Sequence, residues 1–242
     1  DENTITLWNA ETNELSGRID AHVAPVRALR VLHADRLVSA GMDRKLKVID
    51  LTTRETLRTI DLAHFGDELS VHPEGHTLAL GRGDGAVVLY DTATWSAQTF
   101  EKIHDGRAWW LAYDPRGSLL GTAGYTGEIA LLDPASGRVE RRWKGHDRRI
   151  YDGAWHPDGN QLVTIDLGGW VRIWDPTNGK QLREWLVFGG ERLSRVAWSR
   201  DGQRLLVTSN EGVRVFSNDG ALVFRLDLGA TTVAEWAPDG RM

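Results

Sequence analysis

The chain has 242 residues, 41% of them apolar and 26% charged, with a formal net charge of −5 and no cysteine. That composition fits one folded domain. It excludes disulfides and thiolate metal sites and supplies no broad basic surface for nucleic acid or an anionic membrane. No run approaches the ~18 apolar residues of a membrane helix, and the polar start Asp1 to Thr4 shows no signal peptide, so a cytoplasmic location is expected.

Taken along the chain, a short β-branched stripe that closes on an acidic or small polar residue recurs. It runs Thr4–Asn9, Leu46–Asp50, Val87–Asp91, Ile129–Asp133, Val171–Asp175 and Val213–Ser217, with closing residues 41, 41, 42, 42 and 42 apart. A second column holds the turn triplets Pro73–Gly75, Pro115–Gly117, Pro157–Gly159, Arg200–Gly202 and Pro238–Gly240. Pro presets φ for a turn and Gly accepts positive φ, so each triplet predicts a tight turn between strands. A bulky residue stands two places before each turn: Val71, Tyr113, Trp155, Trp198 and Trp236, of which the three tryptophans are expected to be buried in equivalent places. A third column is His22, His64, His104 and His146. Alternation and β-branching predict strands throughout, and no amphipathic helix is evident. A period of this length implies a stacked or ring-closed array of one supersecondary unit.

These columns together resemble the WD40-repeat β-propeller family. The best single unit runs from Gly145 and His146, through Ala154–Gly159, to Trp174 and Asp175. The resemblance covers essentially the whole chain and implies an all-β propeller of four-stranded antiparallel blades around a central channel. Five full blades are expected at about 23–64, 65–106, 107–148, 149–191 and 192–230. Residues 1–22 would supply strands c and d of one partial blade, and 231–242 strand a of another. Joined, these ends lack a strand b, so either a sixth blade closes incompletely or, the preferred reading, the sequence is a piece of a longer chain. The family's hydrogen-bonded His, Ser/Thr, Asp and Trp set carries over incompletely. His22, Ser39 and Asp43 have Ile49 in place of Trp; His64 and Asp84 lack the others; His146, Thr164 and Trp174 have Gly168 in place of Asp. These residues are expected to be structural polar staples, because a catalytic triad needs an exposed nucleophile and would not recur with the repeat.

Other candidate chemistry is thin. His104 with Asp105 and His146 with Asp147 mimic metal pairs, but the repeat accounts for both histidines, and no metal is expected. Arg82, Gly83 and Asp84 fall in a glycine-rich turn that no phosphate-binding pattern follows. The strand-a positions read as Ala, Trp, Leu, Gly and Val, without the acidic or histidine cluster of a propeller enzyme, so neither catalysis nor a cofactor is expected. More informative are large residues that the repeat does not demand. Arg27, Trp109, Tyr151 and Ser194 come from the starts of strands a, and Met42, Tyr125 and Leu167 from the b–c turns. Neighbours in a strand point to opposite sides, so one of Trp109 and Trp110 must leave the core. With Arg107, Arg148 and Arg149 close by, this makes an aromatic–arginine surface of the composition enriched at interfaces. The expected function is therefore protein or peptide binding, as a scaffold or sensor module of a larger protein or assembly. Arg27, Met42, Trp109, Tyr125, Arg149, Tyr151 and Leu167 are the expected contacts. Two alternatives stand beside it: an enzyme with its active site at the channel mouth, and an aromatic cage of Trp109, Tyr125 and Tyr151 that reads a peptide or modified lysine.

Overall fold

The computed structural model describes residues 2–33, 35–187, 192–229 and 234–237. These residues form 22 strands and no helix. β1 (Thr4–Trp8) and β2 (Leu15–Asp20) make a two-stranded sheet. Five four-stranded antiparallel sheets follow, each in sequential order. The first holds β3 (Val26–His33), β4 (Arg36–Gly41), β5 (Lys45–Asp50) and β6 (Thr56–Asp61). The second holds β7 (Gly66–Val71), β8 (Thr77–Arg82), β9 (Val87–Asp91) and β10 (Ala97–Phe100). The third holds β11 (Ala108–Tyr113), β12 (Leu120–Gly124), β13 (Glu128–Leu132) and β14 (Val139–Lys144). The fourth holds β15 (Ile150–Trp155), β16 (Leu162–Asp166), β17 (Trp170–Trp174) and β18 (Gln181–Leu186). The fifth holds β19 (Leu193–Trp198), β20 (Arg204–Ser209), β21 (Gly212–Ser217) and β22 (Leu222–Asp227).

Each sheet is a propeller blade. The first strand of every blade touches the first strand of the next, from β3 to β7, β11, β15 and β19, so these strands line a common channel. Last strands such as β6 and β22 face solvent. The core is a series of apolar layers between neighbouring blades. Leu46, Leu69 and Leu78 share one layer, Leu111, Leu120 and Leu132 another, and Val163, Val196 and Val207 a third.

The repeated columns have local causes. In the first four blades a carboxylate closing the third strand caps the following turn: Asp50 accepts the amides of Thr52 and Thr53 at 2.8 Å each, and Asp91 those of Ala93 and Thr94 at 3.0 and 2.7 Å. Asp133 and Asp175 do the same for Ala135 and Thr177, an Asx turn that stops one strand and starts the next. In the other turn, Gly117 has φ +71 and an added Cβ would overlap the His72 ring of the preceding blade. Only glycine allows that approach.

The tryptophan column is less uniform than expected. Trp155 and Trp198 are buried, and Trp155 donates its indole N–H to Ala112 of the preceding blade at 3.0 Å. Trp236 makes the corresponding bond to Ala197 at 3.2 Å but is only half-buried, because residues 234–237 form no strand to hold it in a layer. The turn Pro238–Gly240 lies outside the described residues. The two-stranded sheet docks beside the first blade, where the Glu2 carbonyl accepts the Val26 amide at 2.8 Å.

Candidate interaction site at the channel mouth

One irregularity recurs at the start of every inner strand. The pairing register slips between Val26 and Ala28, Gly66 and Glu68, Ala108 and Trp110, Ile150 and Asp152, and Leu193 and Arg195. The residue skipped each time is a β-bulge: Arg27, Asp67, Trp109, Tyr151 and Ser194. A bulged residue is released from the ladder and its side chain is re-aimed. Because all five blades bulge at the same end of the same strand, these side chains form an arc around one mouth of the channel.

Trp109 is the centre of the arc. Its ring stacks on Tyr151 with centroids 5.6 Å apart and planes 23° from parallel. The Arg107 and Arg149 guanidiniums lie 4.7 and 4.8 Å from its centroid, and Arg27 lies 5.9 Å away. Arg149 also rests 5.6 Å from the Tyr125 ring and 5.4 Å from Tyr151, and Arg192 approaches Tyr151 at 5.9 Å. Arg107 also lies 4.7 Å from the Phe65 ring centroid. Such contacts hold a cation over a ring quadrupole for about 0.5–1 kcal/mol each where exposed. Of the expected contact residues, the structure thus gathers Arg27, Trp109, Tyr125, Arg149 and Tyr151. Met42 is exposed on a b–c turn, and the Leu167 amide donates to the Arg149 carbonyl at 3.1 Å; neither joins the ring contacts. Trp110 is buried and Trp109 partly exposed, so one of the pair leaves the core as expected, though by a bulge and not by simple alternation.

Asp67 belongs to the arc but is neither large nor aromatic, so a search for bulky residues passes over it. Its side chain is fully buried, 3.4 Å from Arg107 Nε and 3.8 Å from Arg27. Burial pushes its carboxyl above the ordinary value, and the two arginines only partly offset that.

A second charged layer lies one residue deeper. Arg195 stands 3.7 Å from both Glu68 and Asp152 and 3.9 Å from Glu235, while Arg30 bonds Glu68 at 2.5 Å. These groups line a cavity of about 350 Å³ in the channel. The expectation that strands a carry no acidic cluster is therefore corrected. The bulge shifts the alternation, and the residue after it points into the channel; there Glu68, Asp152 and Arg195 replace apolar residues. Burial drives the Asp152 carboxyl up to about 6, against the opposing pull of Arg195 and the Val196 amide, which donates to it at 2.9 Å.

The histidine column forms bonds within the blades. His146 donates from Nδ1 to Asp166 at 3.0 Å and accepts from Thr164 at 2.7 Å, while the Trp174 indole donates to the same Thr164 at 2.8 Å. All four polar partners are present after all: the carboxylate comes from Asp166, two residues before the Gly168 where it was sought. Burial keeps the His146 pKa low despite Asp166, so the ring is neutral at pH 7. His22 likewise bridges Asp43 at 2.9 Å and Ser39 at 2.8 Å. The second blade departs from expectation. Asp84 is held by Arg82, two residues away in its own turn, and among the described residues His64 Nδ1 has no hydrogen-bond partner. His104 bonds Thr122 at 3.1 Å, and burial drives its pKa to about 4. His72, Glu74 and His76 cluster on the opposite end of the second blade. Both ring nitrogens of His72 are already engaged, by the Gly117 carbonyl at 3.2 Å and the Glu74 amide at 3.1 Å. His156 repeats that bond with Gly202 at 3.1 Å, which marks the pair as ties between blades.

Known proteins share this architecture. The family model for the WD domain, G-beta repeat matches residues 137–175. The chain is 31% identical over 105 residues to the ribosome biogenesis protein YTM1 of Chaetomium thermophilum, and 28% identical over 108 residues to the protein tipD of Dictyostelium discoideum. Those matches cover 38% and 44% of this chain but only 21% and 18% of the relatives, about a fifth of their length. A chain in the crystal structure of the mitotic checkpoint complex superposes with a TM-score of 0.85 over 99% of this chain and 77% of that one, at 20% identity. That likeness concerns the fold.

Proposed function

We propose that this chain, a WD40-repeat β-propeller, binds a protein or peptide partner through the arc at its channel mouth, as a scaffold or sensor module of a larger cytoplasmic assembly. The observation that carries the reading is the convergence of Trp109, Tyr125, Arg149 and Tyr151 from two adjacent blades onto one partly exposed cluster. Nothing in blade packing demands an aromatic at these bulge and turn positions, whereas buried-rim aromatics and arginines are the usual anchors of interfaces. Propellers of this family are generally interaction scaffolds without enzymatic activity. Here the channel carboxylates Glu68 and Asp152 face Arg195, which suits a structural tie better than a general acid or base. The aromatic-cage alternative is weakened by Arg149, because the ring faces that would hold a methylated ammonium already hold its guanidinium.

The test begins with a partner captured by the protein and then purified. Trp109→Ala and Tyr151→Ala are each expected to weaken its binding by at least about 2 kcal/mol, roughly thirtyfold, with thermal melts little changed. Full binding by both variants would move the interface elsewhere on the propeller. A parallel fall in melting temperature would assign these rings to the core.

A further inference from the structure

The channel mouth carries more positive charge than its own residues neutralise. Arg27 and Arg107 share Asp67, at 3.8 and 3.4 Å. Arg149 has no such partner: among the described residues no carboxylate lies within ion-pair distance of it, and its Nε is buried without an acceptor. Its guanidinium rests instead on Trp109, Tyr125 and Tyr151. Stacking occupies the face of a guanidinium and leaves its in-plane N–H edge free to donate. The Trp109 indole N–H is also buried without an acceptor. Among the described residues neither donor has an acceptor, in a place where an unpaired polar group is costly.

We infer that the ligand of the arc is an acidic peptide, one of whose carboxylates accepts two parallel hydrogen bonds from Arg149 while the adjoining chain lies over Trp109 and Tyr151. The inference rests on the reading of the arc as a binding surface and adds the chemistry of what binds. A planar carboxylate matches the planar edge of Arg149. Arg192, exposed and 5.9 Å from Tyr151, adds attraction on one flank. Asp67 works in the opposite sense, since its charge cancels part of the field that draws an anion to the mouth. It pairs with Arg107 and Arg27 and does not itself meet the ligand, so its effect on binding is through charge alone.

The experiment is fluorescence anisotropy of a labelled hexaglutamate peptide with the whole chain, alongside hexalysine, a phosphoserine peptide and a trimethyl-lysine peptide. The wild type should bind hexaglutamate and reject hexalysine. Arg149→Gln should weaken that binding at least about tenfold, as expected for a buried charge-assisted pair. Asp67→Asn should strengthen it by about threefold or more, a gain that a purely structural role for Asp67 does not predict. Arg141→Gln, which removes an exposed charge from β14, should leave it unchanged. Thermal melts of each variant check the fold, and because Asp67→Asn is read as a gain, misfolding cannot imitate it. Equal losses from Arg141→Gln and Arg149→Gln would reduce the effect to diffuse attraction and overturn the inference. So would tighter binding of the trimethyl-lysine peptide, or binding of the phosphoserine peptide alone. If hexaglutamate fails to bind while Trp109→Ala still abolishes capture of the natural partner, the acidic assignment falls and the reading of the arc as an interface stands.

Discussion

Replacing Arg195 by methionine is expected to cost the fold about 3 kcal/mol at neutral pH, because it strips a countercharge from carboxylates held in the channel. Methionine keeps most of the arginine's stem, so the loss isolates the charge. Arg195 reaches Asp152 in the neighbouring blade and Glu68 across the channel, and Glu68 retains Arg30 as a second partner. Among the described residues Asp152 has no other cation at ion-pair distance, so it dominates the effect. Its carboxyl is pushed by burial from the ordinary 3.8 to about 6. A carboxyl whose pKa is higher in the folded than in the unfolded chain contributes stability that is complete below the unfolded value and is lost as pH rises through the folded one. Removing Arg195 leaves burial less opposed and deepens that loss. The deficit of the variant should therefore be small at pH 5, where Asp152 carries a proton, and largest near pH 8. Urea unfolding at both values measures it, and equal deficits would contradict the assignment.

His146→Ala is expected to destabilise the protein by about 3 kcal/mol without a selective effect on partner binding. The ring is almost fully buried and ties Asp166 to Thr164, which in turn receives the Trp174 indole. Deleting it opens a cavity and takes the His146 partner from both Asp166 Oδ2 and the Thr164 hydroxyl, and each unpaired buried group costs about 1–3 kcal/mol. Asp166 keeps the amides of Gly168 and Trp170, at 2.8 and 3.1 Å, so part of its hydrogen bonding survives. Unchanged melting with loss of some turnover would instead assign His146 to catalysis.

The fold was legible because three residue columns shared one period, and each column has a local cause that acts over a few residues. An Asx cap recurs in the first four blades, a glycine turn in the last four, and a buried histidine bonded within the blade in the first, third and fourth. The site was legible only in part. Trp109, Tyr125 and Tyr151 stand out because the repeat does not ask for aromatics there. Asp67 stays hidden, because its membership depends on a bulge, and a bulge is a property of pairing between strands that no single strand displays. The same slip hides Glu68, Asp152 and Arg195. Strict alternation assigns their strands an apolar inward face, whereas the extra residue turns the next side chain into the channel. Asp166 was missed for a simpler reason: the carboxylate that serves His146 sits at the end of strand b and not in the turn beyond it.

The central claim is that the bulge arc is where a partner docks. Amide hydrogen exchange of the protein with and without its bound partner tests this most directly. The account predicts new protection at 106–111, 124–126 and 148–152, on the inner-strand starts and the turn that carry Trp109, Tyr125 and Tyr151. Protection confined to the outer strands β6, β14 and β18, with the channel mouth unchanged, would contradict it.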